Sequence, residues 1–360
     1  MANRRYILAR IKPKFSNISS IKIHGNQLDS MFITAVEDCV IDFGDQQQQI
    51  YTGNNSSTEV RHNYSSNGDY IITITGNHST FEAPDQTIEV IQLSDTLTSC
   101  NYMFANCSNL TTIADTCIIP KSVITCANMF QSCSNLNLIP NTFVLSNSIT
   151  NCSNMFRSTA LQVIPSTFII PNSAIDCNGM FYSCSNLTTI PDTFKLGNSV
   201  TDCHNLFYDC SNLTTIPDTF TLPDSITDCS ALFSYCTSLI TIPDAFTLPD
   251  SVTNCSLLFS NDTNLISLPS SFKLSNNIIN GSGMCIRCSS LTSDISNIWP
   301  DIWNYTGTIN LNDIFRECSN ITGTLPANKL WNSGKTFSTS RSFRGCTSLT
   351  NYNEIPDNWK

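Results

Sequence analysis

From roughly residue 94 to its end the chain repeats itself about every 26 residues, and nothing else in it limits the fold so strongly. The clearest copies are DCHNLFYDCSNLTTIPDTFTLPDSIT (202–227) and DCSALFSYCTSLITIPDAFTLPDSVT (228–253). A fixed period of this size means that one small unit stacks on the next, because no single copy can bury its own apolar set. The consensus reads C-x-x-[ML]-F-x-x-C-[ST]-[NS]-L-T-x-I-P-[DS]-[TS]-F-x-[LI]-[PSG]-[DN]-S-[VI]-T-[DN]. Its first cysteine falls at Cys100, Cys126, Cys152, Cys177, Cys203, Cys229 and Cys255, and looser copies follow around Met284, Ile314 and Ser342.

Apolar columns run through the copies. One is Phe104, Phe130, Phe156, Phe181, Phe207, Phe233 and Phe259; others follow the leucine and isoleucine of L-T-x-I and the phenylalanine after the proline. Stacking turns each column into a continuous core. The L-T-x-I segment alternates apolar and polar residues as a half-buried strand does, so parallel strands about 4.8 Å apart are expected. The following prolines, such as Pro191, Pro217 and Pro243, end each strand and set the bend. The F-x-x-C-[ST]-x-L-T-x-I-P core and the P-D-S-[VI]-T after it resemble the BspA-type leucine-rich repeat surface proteins. The likeness covers about 260 residues. Cysteine stands here where those repeats more often carry an aliphatic residue. The resemblance implies a leucine-rich-repeat-like solenoid of about ten 26-residue repeats, used for adhesion or display, and names no ligand.

Eighteen cysteines would suit either disulfides or a buried structural role. Seven form the first column. A second holds Cys107, Cys133, Cys184, Cys210, Cys236, Cys288, Cys318 and Cys346 and is broken by Thr159 and Asp262, so pairing along it would leave orphans. Each cysteine sits at a fixed place in the repeat, as a core residue would, and free cysteine behaves as a small hydrophobe. The expectation is a set of mostly reduced, structural thiols. The C-x6-C spacing is not that of a zinc site, although Cys285 and Cys288 make one C-x-x-C. No metal or cofactor is expected.

The first ninety residues lack the repeat. VIDFGD (40–45) reads as a strand ending in a turn, and VRHNYSSNGDYIITITG (60–76) as a strand, a Ser-Asn-Gly turn and a half-buried strand. Together they resemble the polycystic-kidney-disease (PKD) type of immunoglobulin-like β-sandwich, with Gln46 where that family usually has glycine. The resemblance implies a mount or spacer in which Asp42, Asp45, His62 and Tyr64 are framework residues, and which caps the first repeat. Ahead of it Arg4, Arg5, Arg10, Lys12 and Lys14 form a basic arm without an acid, while the whole chain carries a net charge of −10. Two readings of the arm stay open, an anchor on an acidic assembly and an ordinary first strand. The expected organisation is a basic arm (1–17), a PKD-like sandwich (18–93), a regular solenoid (94–280), and divergent repeats with a C-terminal cap (281–360), in a mainly β chain.

Little supports catalysis. His24, His62, His78 and His204 stand in no recognisable catalytic motif, and no phosphate- or dinucleotide-binding glycine pattern is present. The acidic columns Asp192, Asp218, Asp244 and Asp176, Asp202, Asp228 suit turn capping better than calcium, because no dense D-x-D-x-D loop occurs. The variable positions after the conserved phenylalanine are the better place for a partner. They hold Arg157, Tyr182, Tyr208, Asp209, Tyr235, Arg287, Arg316, Glu317 and Arg344, and tyrosine and arginine are enriched at interface hot spots. Arg157, Tyr182, Tyr208 and Tyr235 are the candidate binding residues. Trp299, Trp303, Trp331 and Trp359 mark a cap or an interface.

An acidic, polar body argues against nucleic acid, no stretch has the roughly 18 apolar residues of a membrane span, and the start lacks the apolar run of a secretory signal. The expectation is a non-enzymatic structural or adhesion protein. Its leading form is a bacteriophage virion component assembled in the host cytoplasm: a head or tail fibre, decoration or receptor-binding protein. The alternative is an exported bacterial or protist adhesin, at the cell surface or secreted, with glycosylation at sites such as Asn55 and Asn63; an intracellular scaffold is a third class. The expected partners are a protein or glycan on a host cell, or other virion proteins met through the arm and sandwich. A homo-oligomer is left open.

Overall fold

The computed structural model describes residues 17–360, so the arm residues Arg4, Arg5, Arg10, Lys12 and Lys14 lie outside the described residues. The N-terminal part is built on β1 (Ile18–Ala35), a long strand that pairs antiparallel with β4 (Ser57–Thr75) on one edge and with β5 (His78–Glu82) and β6 (Thr87–Gln92) on the other. A hairpin of β2 (Cys39–Asp42) and β3 (Gln48–Tyr51) extends the β4 edge. Ile21, Ile23 and Ile33 of β1 and Ile72 and Ile74 of β4 alternate into the core, as the two-residue period of a strand requires. The first repeat joins the same sheet through β7 (Thr112–Ile113), which pairs parallel with β6.

Beyond β7 the copies lie on one another through parallel single-residue bridges. One line runs Ser99, Thr125, Asn151, Asp176, Asp202, Asp228, Asn254, Asn280 and Asn310, and a second runs Val163, Thr189, Thr215, Thr241 and Ser267. Between the lines the phenylalanine column is a fully buried stack. Neighbouring rings from Phe130 to Phe233 are 5.5 to 5.7 Å apart and within 8° of parallel. A second stack, Phe194, Phe220, Phe246 and Phe272, meets the first edge-on. Each such aromatic pair adds about 0.5–1.5 kcal/mol beyond its burial.

The expected fold class is corrected in both parts. The segment 18–93 is not an immunoglobulin- or PKD-like sandwich of two facing sheets: β1 to β7 belong to one open hydrogen-bonded sheet, in the order β3-β2-β4-β1-β6-β7 with β5 on β1. The repeats do not form a leucine-rich-repeat-like solenoid with a strand in every copy. Among the described residues after β7 the only strands are the two-residue pair β8 (Ile309–Asn310) and β9 (Phe337–Ser338), and the only helices are the 3-10 turns Tyr352–Glu354 and Asp357–Trp359.

The reason lies in the C-x-x-[ML]-F-x-x-C segment, whose third and seventh residues are left-handed in every copy. Asn205 and Asp209 both have φ of 56°, Ala231 and Tyr235 have 52° and 62°, and the series runs from Tyr102 and Asn106 to Arg341 and Gly345. Left-handed residues cannot continue a strand. The amides therefore divide. Leu206, Tyr208 and Cys210 donate within their own copy to Cys203, Asn205 and Phe207 (3.1–3.2 Å), while Cys203, Asn205, Phe207 and Asp209 donate to the next copy (2.8–3.0 Å). The L-T-x-I segment ends after one bridge residue because proline follows and has no amide to donate. Side chains supply the missing links between copies. The hydroxyls of Thr193 and Thr219 donate to the carbonyls of Ser166 and Asp192 (2.6 Å each), and those of Ser173 and Ser225 to Ile149 and Val200 (2.6 Å each).

Both ends of the stack are covered. At one end Phe81 of β5 meets Phe104 edge-on at 5.8 Å, and the Ala83 amide donates to the Met103 carbonyl at 2.7 Å. At the other Trp359 lies on Phe343, with ring centres 6.0 Å apart and planes 9° from parallel, and its carbonyl accepts the Phe343 amide at 2.8 Å.

Candidate interaction surface

The two left-handed residues of each copy lift the variable side chains out of the stack. In three adjacent copies this places Arg157, Tyr182 and Tyr208 directly over one another. The Tyr182 and Tyr208 rings are stacked at 4.6 Å with planes 11° apart, and the Arg157 guanidinium sits 4.0 Å from the centre of the Tyr182 ring. Tyr235 belongs to the next copy but stands one place later, at the left-handed position. Its ring therefore meets Tyr208 at 5.4 Å and 51°, and it is 40% exposed. The structure thus joins all four candidate binding residues into one ladder across four copies. Burial pushes the Tyr208 hydroxyl up, helped by Tyr182, Tyr235 and Asp209, so Tyr208 stays protonated and keeps its hydrogen-bond donor. A guanidinium over a ring adds about 0.5–1 kcal/mol at an exposed site, and its ring partner holds it in place.

The same face continues past the exposed Leu257 into an ion-paired cluster. Arg287 meets Glu317 at 2.9 Å, Arg316 meets Glu317 at 2.9 Å, and Arg341 meets Asp313 at 3.0 Å. The arginines hold the Glu317 carboxyl below its ordinary range, Arg287 most strongly. Arg344 has no ion-pair partner among the described residues. Trp299, Trp303 and Trp359 are buried, and Trp331 packs edge-on to Trp359 at 5.8 Å. These tryptophans fill the end of the core.

The acidic column Asp176, Asp202, Asp228 occupies consecutive rungs of the first bridge line. In each copy a carboxylate oxygen accepts the amide two residues on: Asn178, His204 and Ser230, at 2.8–3.0 Å. Asn151, Asn254 and Asn280 do the same in their copies. The column is a row of side-chain-capped turns. Asp202 also binds the His204 ring at 2.6 Å, which raises the histidine's pKa. Asp192, Asp218 and Asp244 are exposed corner residues. Among the described residues no group of three or more histidine, cysteine or acidic side chains could hold a metal ion.

Every cysteine is free and buried. The first column, Cys100, Cys126, Cys152, Cys177, Cys203, Cys229 and Cys255, lines the core. In the second, Cys133, Cys184, Cys210 and Cys236 donate their thiols to phenylalanine carbonyls of the preceding copy at 3.0–3.2 Å, and Cys107 bonds the Pro84 carbonyl at 3.4 Å. Burial pushes the thiols of Cys107 and Cys255 up to about 12, so reactive thiolate is scarce there at neutral pH.

In the N-terminal sheet His62 stacks on Phe43 at 4.1 Å and bonds Asp45 at 2.8 Å, Tyr64 donates to the Phe43 carbonyl at 3.0 Å, and Asp42 accepts the Gly44 amide at 2.9 Å. All four resemblance-derived residues therefore serve one turn. Gln46, in the place of the expected glycine, takes a φ of 74°. Sequence reasoning missed a second histidine site. His78 donates through Nδ1 to the Gly76 carbonyl (3.0 Å) and accepts the Ser19 hydroxyl at Nε2 (2.9 Å). The geometry is that of a serine–histidine pair, but both side chains are sealed from solvent and the serine oxygen is already bonded by the Ser94 amide at 3.0 Å. It fastens the sheet to the start of the repeats. No short motif marks it, because the partners are 59 residues apart.

These features define a mainly β repeat protein that presents variable side chains along one turned face. The chain belongs to the DUF285 family, described as "Mycoplasma protein of unknown function", whose model matches residues 76–168, 98–220, 125–246 and 227–359. The overlapping matches reflect copies that align in more than one register, and they take in β5 and β6 with the repeats. No curated protein and no solved structure matches the chain. Among the described residues no helix is long and apolar enough to cross a membrane.

Proposed function

We propose that the protein is a non-enzymatic structural and adhesion protein that engages a protein or glycan partner through the turned face of its repeats. The observation that carries this reading is the ladder of Arg157, Tyr182, Tyr208 and Tyr235. Rigid aromatic rings flanked by arginine lose little entropy on binding and recur at hot spots. The likeness of the repeats to BspA-type surface proteins supports the same conclusion. In its leading form the protein is a bacteriophage virion component, supported by buried free thiols that suit assembly in a reducing cytoplasm and by the basic arm ahead of the sheet. The second reading is an exported bacterial or protist adhesin, and one observation favours it: the family carries the description of a bacterial, Mycoplasma, protein.

Fractionation of producing cultures into particles, cells and free protein separates the two, with thiols alkylated without reductant and read by mass spectrometry. The virion reading expects the chain in particles at fixed stoichiometry with alkylated thiols. A chain confined to the cell surface or medium overturns it and leaves the adhesin.

A further inference from the structure

One rung of the second cysteine column carries an acid. In regular and divergent copies alike the thiol at this place donates to the preceding copy's carbonyl: Cys210 to Phe181, Cys236 to Phe207, Cys288 to Phe259 and Cys346 to Phe315, all at 2.9–3.2 Å. Between Cys236 and Cys288 the place belongs to Asp262, which is fully buried with neither carboxyl oxygen hydrogen-bonded. The other departure, Thr159, still offers a donor and bonds the Phe156 carbonyl at 2.8 Å. The carbonyl opposite Asp262 is that of Phe233, which accepts the Cys236 amide at 3.1 Å and no thiol. A carboxylate has no proton to give it, and a carboxylic acid has one.

The titratable groups that face Asp262 are the thiols of Cys236 on one side and of Cys285 and Cys288 on the other. No cation faces it among the described residues. Arg287, on the neighbouring copy, is exposed and paired with Glu317. The rung also carries the end of the tyrosine ladder, since the Tyr235 amide donates to Ser260 and the Asn261 amide to Ile286, both at 2.8 Å.

We infer that Asp262 is held as the neutral acid in place of the thiol donor, and that its ionisation opens the stack at this rung, releasing the Tyr235 end of the interaction surface. Burial drives its pKa well up, and the Cys236 backbone amide, which faces the carboxyl without hydrogen-bond geometry, offsets this only in part. Burying an unpaired carboxylate is far costlier than burying the acid. The unfolded or opened rung loses its proton near the ordinary aspartate value, so above about pH 3.9 each pH unit raises the opening constant about tenfold until the folded value is passed. Burial pushes the surrounding thiols up as well. The effect on recognition rests on the function proposed above; the opening itself does not.

Hydrogen exchange of the full chain without any ligand, from pH 5 to 8, tests the inference against Asp262→Asn and Asp262→Cys. Both variants supply a donor that stays neutral over most of this range. Relative to them, the Tyr235, Phe259 and Asn261 amides of the native chain are expected to open increasingly with pH, by up to about tenfold per unit until the folded value of Asp262 is passed. The Ser132 amide, bonded at 2.8 Å to Arg157 in a remote rung, should not change. Parallel profiles in native chain and variants overturn the inference, whether or not the surface binds a partner. If Asp262→Asn does not fold, the comparison with Asp262→Cys decides alone.

Discussion

At the second cysteine place a thiol takes the part that an amide takes in a β-ladder, tying a side chain to the neighbouring copy's carbonyl. Small hydroxyl residues do the same at two further places, so much of the consensus records hydrogen bonds between copies. The fixed spacing of these residues was legible in the sequence; their partners were not, because each partner lies a whole copy away. His78 shows the same limit. Burial lowers its pKa from 6.5 to about 4, so the folded state refuses a proton that the unfolded chain accepts. Stability present above about pH 6.5 is therefore lost as pH falls toward 4, by about 3 kcal/mol in all. His204, raised by Asp202, acts in the opposite sense, contributing at low pH and losing its share as pH rises through its folded value. The difference in urea midpoints between native chain and His78→Gln isolates the first effect: the variant should lose most of the slope between pH 6.5 and 4, and an unchanged slope would sink the assignment.

At the scale of the element, the alternation in L-T-x-I read as a strand, and from Val163 to Ser267 the structure grants it a single bridge residue in each copy, with none at Leu136–Ile139. The deciding residues lay elsewhere. Asn, Ser and Asp at the third and seventh places of the cysteine segment tolerate left-handed backbone, but a tyrosine, leucine or arginine at the same places in other copies hides the signal. The N-terminal segment failed differently. Its strands were legible from VIDFGD and YIITITG, but whether they share one sheet depends on β1 pairing along both edges, which alternation cannot reveal. Left-handed geometry also gives a test. Gly283 has a φ of 61°, and a Cβ there would stand 2.7 Å from the Leu257 side chain, itself at a φ of 57°. Gly283→Ala should cost about 1 kcal/mol, and less in a Leu257→Gly background where the contact is gone. Equal losses in both backgrounds, measured by denaturant unfolding, would show that the contact is not felt.

Across the whole molecule the repeats form a stack closed by a sheet at one end and Trp359 at the other, leaving the sides as the surface free to recognise anything. The column of variable residues was readable in advance, since Tyr182 and Tyr208 hold one place in adjacent copies. That Arg157 would lie on Tyr182, and Tyr235 would tilt in from the next place, needed the geometry of the turns. The account's central claim is that this ladder is the recognition surface. The most direct measurement places a photo-crosslinking side chain at Tyr235 on the ladder, and separately at the exposed corner residue Thr219, in protein isolated with its particles or cells. The account predicts one discrete adduct from position 235, lost when Tyr182 and Tyr208 are changed to serine, and none from position 219. An adduct from position 219 alone, or one from 235 indifferent to those serines, would contradict it.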